Sequence, residues 1–87
     1  MRKPIQIQTA ADLGTAIRTK RKSDGLTLTE AAGLINVGVR FLSELENGKP
    51  TVRLDKLMLV LSAFGLQLHL TSSAESSLGL FQIHLRH

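Results

Sequence analysis

The chain has 87 residues and no cysteine, which leaves room for one small domain and excludes a disulfide framework, a thiolate zinc site and a thiol nucleophile. Eleven Lys and Arg against seven Asp and Glu give a formal charge of +4, a balance that favours a polyanionic partner, either nucleic acid or an anionic membrane. The only aromatics are three Phe, too few for a platform on which bases stack. From Leu66 onward only Glu75 and Arg86 are charged, and they cancel, so residues 1–65 hold the whole net charge. The longest apolar run, Leu57 to Leu61, is far short of the ~20 residues that cross a bilayer. Arg2 and Lys3 are not followed by the apolar stretch of an export signal, and the expected location is the cytoplasm.

In chain order, Thr9 followed by Asp12 forms a capping box and starts a first helix, with Leu13, Ala16 and Ile17 on one face and Arg18, Lys20 and Lys22 largely outside it. Asp24-Gly25 stops it. Thr27 with Glu30 is a second capping box and opens a short helix through Ala31, Ala32 and Leu34. Asn36 suits the left-handed backbone of a tight turn, and Gly38 stands at the next N-cap. A third helix runs to about Glu46, where Asn47-Gly48 ends it and Pro50 prevents continuation. A fourth begins near Arg53 and carries Leu54, Leu57, Met58, Leu61 and Phe64. Its Leu57–Leu61 run is apolar nearly all round, which predicts burial on more than one side.

The tail then changes period. Leu66, Leu68 and Leu70 alternate with Gln67, His69 and Thr71, and Phe81, Ile83 and Leu85 alternate with Gln82, His84 and Arg86, the signature of half-buried strands. A strand added to a helical body needs a partner for its ladder, either the second tail segment or the same strand of another subunit. Between them lies the Ser-rich stretch 71–79, a connector.

The third helix has two unlike sides. At ~100° per residue, Val39, Arg40, Ser43, Glu44 and Asn47 share one arc, while Phe41, Leu42 and Leu45 share the other. Two short helices joined by a tight turn place the second in the DNA major groove, its N-terminal residues toward base edges. Arg40 can offer its guanidinium fork to guanine and Val39 can pack on a thymine methyl. Glu44 either accepts from a cytosine amino group or orients Arg40. Lys49 and Arg53, just past the helix, stand where phosphates flank a docked recognition helix.

The stretch GLTLTEAAGLINVGVRFLSELENGKPTVRLDKLMLVLSAFGL, from Gly25 to Leu66, resembles the Cro/XRE helix-turn-helix family, and its ending with the strand after it is similar to HipB-type antitoxins. The likeness covers roughly Thr9 to Thr71 and is most specific from Arg40 to Leu57. The sequence departs from the family at three places, with Leu28 where a phosphate-touching Gln is usual, Asn36 for the turn Gly, and Gly38 for an N-cap Ser or Thr. The resemblance implies an all-α, lambda-repressor-like domain of four to five short helices, with a C-terminal β-strand that forms an intersubunit sheet. It divides the chain into an N-terminal extension (1–8), the DNA-binding domain (9–65), a dimerisation strand (66–71) and a connector with a C-terminal segment (72–87). It also implies a structural ion pair between Arg21 and Glu46.

On this reading the protein is a homodimer on a pseudo-palindromic double-stranded operator, associated with the nucleoid. Val39, Arg40, Ser43 and Glu44 contact bases; Thr27, Asn47, Lys49, Thr51 and Arg53 contact phosphates; Leu66, Leu68 and Leu70 form the dimer face. HipB-like proteins neutralise a HipA-like serine/threonine kinase toxin and repress their own operon, and Phe81, Ile83 and Leu85 are candidates for toxin contact or for a second strand of the same sheet. The rivals are a stand-alone XRE-type regulator without a toxin and an interaction module that no longer binds DNA. No enzymatic role, metal or cofactor is expected. His69, His84 and His87 read as solvated, Ser43 has no histidine base in its helix, and the glycines form no phosphate-cradling motif.

Overall fold

The structure, a computed structural model, describes residues 4–72. It contains α1 (Ala10–Ser23), α2 (Leu28–Ile35), α3 (Val39–Glu46) and α4 (Leu54–Ala63). These boundaries follow from local chemistry. Thr9 accepts from the Asp12 N–H while Asp12 accepts from the Thr9 N–H, and Thr27 and Glu30 do the same at the start of α2. Each box satisfies N–H groups that the first turn leaves without an intrahelical partner. Gly38 and Arg53 precede α3 and α4 without a side-chain cap.

All four helices end alike. A residue with positive φ follows each (Gly25, Asn36, Gly48 and Gly65), and its own N–H and that of the next residue turn back to carbonyls near the helix end, as in Gly65 N–H to Ser62 O at 3.0 Å and Leu66 N–H to Leu61 O at 2.8 Å. This is the Schellman closure, which commonly tucks an apolar residue back onto the helix. Leu26, Val37 and Leu66 take that place after α1, α2 and α4 and pack against the core. After α3 the corresponding residue is the exposed Lys49.

The core is built from Ile17 of α1, Ala31, Ala32 and Ile35 of α2, Leu42 and Leu45 of α3, and Leu57, Val60, Leu61 and Phe64 from α4 and its end. Helix α3 packs on both α1 and α2, and α2 on α4. Two glycines set the α1–α3 approach. A Cβ on Gly14 would stand 2.5 Å from the carbonyl oxygens of Leu45 and Glu46, and one on Gly48 2.8 Å from Cα of Ala11. No other residue fits at Gly14 without moving backbone, and at Gly48 the positive φ adds a second reason.

One expectation is corrected. Among the described residues helix α4 is covered on one side only, since Leu57, Val60 and Leu61 are buried whereas Leu54, Met58 and Leu59 are exposed. Among the described residues there is no fifth helix and no strand, and residues 66–72 have no regular structure. Leu66 packs on the core while Leu68 and Leu70 face solvent. A strand is defined by its ladder, and the described part of one chain offers this segment no edge to pair with. Phe81, Ile83, Leu85, His84 and His87 lie outside the described residues.

Candidate nucleic-acid interface

The two sides of α3 are separated as its periodicity predicts. Leu42 and Leu45 are fully inside, and the half-buried Phe41 ring lies 5.5 Å beneath the Lys56 ammonium, a cation–π contact that keeps the ring in place. On the opposite arc, Val39 is exposed, and the Arg40 side chain is 90% exposed. Glu44 stands between two cations, with Oε2 3.7 Å from Arg40 Nε and Oε1 3.4 Å from Lys49 Nζ.

A shallow groove of ≈ 330 Å³ beside α3 is lined by Phe41, Glu44, Leu45, Lys49, Thr51, Val52 and Arg53. It brings Glu44, Lys49, Thr51 and Arg53 to one edge of the outward arc. Arg53 forks onto Asp55 through Nε to Oδ1 at 3.1 Å and Nη2 to Oδ2 at 2.6 Å, and these hydrogen bonds hold the Asp55 carboxyl below its ordinary pKa. Thr27 is not among the groove residues. Its hydroxyl accepts from the Glu30 N–H at 3.1 Å, and the return bond from the Thr27 N–H to Glu30 Oε1 at 2.9 Å is the first cause of a lowered Glu30 pKa. Leu28 packs part-buried on the core, the place an apolar side chain takes where the family has Gln.

Below the arc, Arg21 and Glu46 meet in a buried pair. Arg21 Nε donates to Glu46 Oε2 at 2.6 Å, Nη2 to Oε1 at 2.9 Å, and Nη1 to the Leu26 carbonyl at 2.8 Å. Acceptance by the Glu46 carboxylate is the main reason the Arg21 guanidinium is held above its ordinary pKa. No buried polar side-chain atom among the described residues lacks a partner, as an ion pair removed from water requires. The sequence reading missed Arg18. It sits one turn before Arg21, donates from Nε to Glu46 Oε1 at 3.3 Å, and reaches Asn47 Oδ1 with Nη2 at 2.7 Å. The i, i+3 spacing of Arg18 and Arg21, which places both on one helix edge, was the available signal. Asn47 in turn offers Nδ2 to Ser43 Oγ at 3.5 Å, so a row of polar groups runs from α1 onto the outward arc of α3.

Among the described residues no group of three or more His, Cys, Asp or Glu is placed to hold a metal ion, and no helix is long and apolar enough to cross a membrane.

Two short helices joined through a left-handed Asn36, the second with one side in the core and the other in solvent, make a helix-turn-helix. The chain belongs to the helix-turn-helix family of Cro/XRE type, whose sequence profile matches residues 17–70. It is 39% identical over 70 residues to an uncharacterized HTH-type transcriptional regulator, y4mF, of Sinorhizobium fredii, a match covering 80% of this chain and 92% of the relative. Among solved structures, the clp gene regulator ClgR from C. glutamicum is 35% identical with a TM-score of 0.62, over 76% of this chain and 85% of that one. HipB in an O4 20mer complex matches with a TM-score of 0.70 at 24% identity, over 78% and 96% of the two chains. A chain of a HipA–HipB–O2–O3 complex matches equally, and at this identity the likeness is one of fold.

Proposed function

We propose that the protein is a sequence-specific DNA-binding homodimer that represses transcription of its own operon. The observation that carries this reading is the outward arc of α3, where Arg40 stands almost wholly in solvent while Leu42 and Leu45 fix the helix from behind. Arg40, Val39, Ser43 and Glu44 face base edges, and Lys49, Thr51, Arg53, Asn47 and Thr27 lie along the sugar–phosphate backbone. The exposed Leu54, Met58 and Leu59 of α4, with Leu68 and Leu70 beyond it, support a second copy as partner. Pairing Leu66–Thr71 antiparallel across a two-fold axis supplies the missing ladder and sets two half-sites about 34 Å apart or a multiple of that.

The test is a gel shift on the promoter region of the protein's own gene across a salt series. A dimer that neutralises ~6–10 phosphates loses about 10³–10⁵ in affinity between 50 and 200 mM salt. A flat salt response, or no retarded band, overturns the proposal. Lys49→Ala is expected to weaken every duplex alike.

A finer reading makes the protein the antitoxin of a HipBA-like toxin–antitoxin operon. It is supported by the HipB-like ending of the Gly25–Leu66 stretch with the segment after it and by the fold shared with HipB. Co-expression with the product of a neighbouring kinase-like reading frame tests it. A stoichiometric complex and relief of growth arrest are expected, while unchanged toxicity and no complex leave a stand-alone XRE-type regulator.

A further inference from the structure

We infer that Arg18 is a DNA-backbone contact, so that the interface extends from the helix-turn-helix onto the edge of α1. The inference rests on the DNA-binding reading above and adds a residue to it.

Charge and geometry carry the argument. Glu46 is a single carboxylate whose side chain is 2% exposed, and Arg21 already donates to both of its oxygens. That pair neutralises itself inside the protein. Arg18 adds a second positive charge at the same carboxylate, at the longer distance of 3.3 Å and with 42% of its side chain in solvent. The cluster therefore holds one more cation than anion, and the surplus lies on its solvent side. Its direction is set by Asn47, which accepts from Arg18 Nη2 at 2.7 Å and reaches Ser43 on the outward arc. A guanidinium held by one carboxylate and one amide keeps a fixed orientation at the border of the recognition face, and such forks suit phosphate oxygens. The competing explanation is purely structural, with Arg18 as a cation at the C-terminal end of the α3 dipole.

The two roles separate by salt dependence. Binding to a short random-sequence duplex and to the promoter duplex is measured between 50 and 200 mM salt for wild type, Arg18→Gln and Arg18→Lys. A phosphate contact contributes about 0.9 to the slope of log affinity against log salt. Arg18→Gln is therefore expected to lower the slope by about 0.9 per subunit, a roughly three- to fourfold smaller salt effect per subunit over that range. It should weaken both duplexes alike, and Arg18→Lys should retain most of the slope. An unchanged slope for a folded Arg18→Gln overturns the inference and leaves the helix-end role. Should that variant not fold, wild-type protein decides. The Arg18 Nε–H resonance is expected to move on adding random duplex and to return with salt, and a resonance that stays put overturns the inference. If wild type binds neither duplex, the DNA-binding reading falls and this one with it. Wild-type binding with the normal salt slope but no Arg18 effect removes this inference alone.

Discussion

Helix α3 carries two glutamates, each set between two cations, and the pairs behave as opposites. Glu46 lies between Arg18 and Arg21 with its side chain 2% exposed and contacts of 2.6 to 3.3 Å. Glu44, about 200° away around the helix, lies between Arg40 and Lys49 with 37% of its side chain exposed and separations of 3.4 to 3.7 Å. The same ionic chemistry, two residues apart, is fixed in one place and loose in the other. Water makes the difference. An ion pair shielded from solvent is costly to break by halves, whereas a solvated one contributes little and can exchange one partner for another. The inner cluster joins α1 to the end of α3, and the outer one keeps Arg40 and Lys49 available.

Glu46→Ala is the strongest way to break this contrast. Leaving Arg21 without its carboxylate is expected to cost about 3–5 kcal/mol and to lower the melting temperature by more than about 12 °C, at ~4–8 °C per kcal/mol for a domain of this size. A normally stable variant with altered sequence preference would reverse the assignment. Gly14→Ala presses on the same joint from α1, driving a methyl into the Leu45 and Glu46 carbonyls. Calorimetry should show a loss of about 1–3 kcal/mol.

On the outer side, Arg40→Ala should melt within about 0.5 kcal/mol of wild type and lose about 1–3 kcal/mol of discrimination at one base position per half-site. Equal losses on operator and random DNA would contradict its role. Glu44→Gln is expected to leave stability nearly unmoved and to raise affinity for random duplex by up to roughly fivefold, the equivalent of the ~1 kcal/mol of an exposed pair.

The smallest effect concerns acid. The Glu30 and Asp55 carboxyls are held below their ordinary pKa when folded. What they contribute is complete above the unfolded carboxylate range and is lost as pH falls through the lowered folded value. Gln serves a capping box as Glu does. Glu30→Gln should therefore keep the neutral-pH melting temperature and make its decline on acidification shallower, and an unchanged decline would remove Glu30 from the acid response.

The sequence shows most clearly what is settled within a few residues. Both capping boxes, the left-handed Asn36 and the glycine ends are local events, and the structure places them where the spacing does. The outward arc of α3 was equally legible, because one helical period sorts Leu42 and Leu45 from Arg40 and Ser43. Contacts made between elements were not, apart from the Arg21–Glu46 pair that the family resemblance implied. Gly14 carries no local sign that another helix's carbonyls lie against it, and Arg18 looked like any solvated charge until α3 was packed beside it. The Leu57–Leu61 run shows that two sides of α4 are apolar without saying what covers each, and the described residues cover only one.

The closure after α3 bears on how a duplex would be met. The other three helices each anchor their far end with a leucine or valine packed against the core, but here Lys49 holds that position, and Gly48 seated on Ala11 together with the Glu46 cluster provides the anchorage from α1. Amide protons at this end of α3 should accordingly exchange only when the first helix also comes away. Helix α3 then moves as one stiff piece with α1, and under the proposed dimer any tolerance for the spacing between half-sites has to be supplied by the joint between two copies.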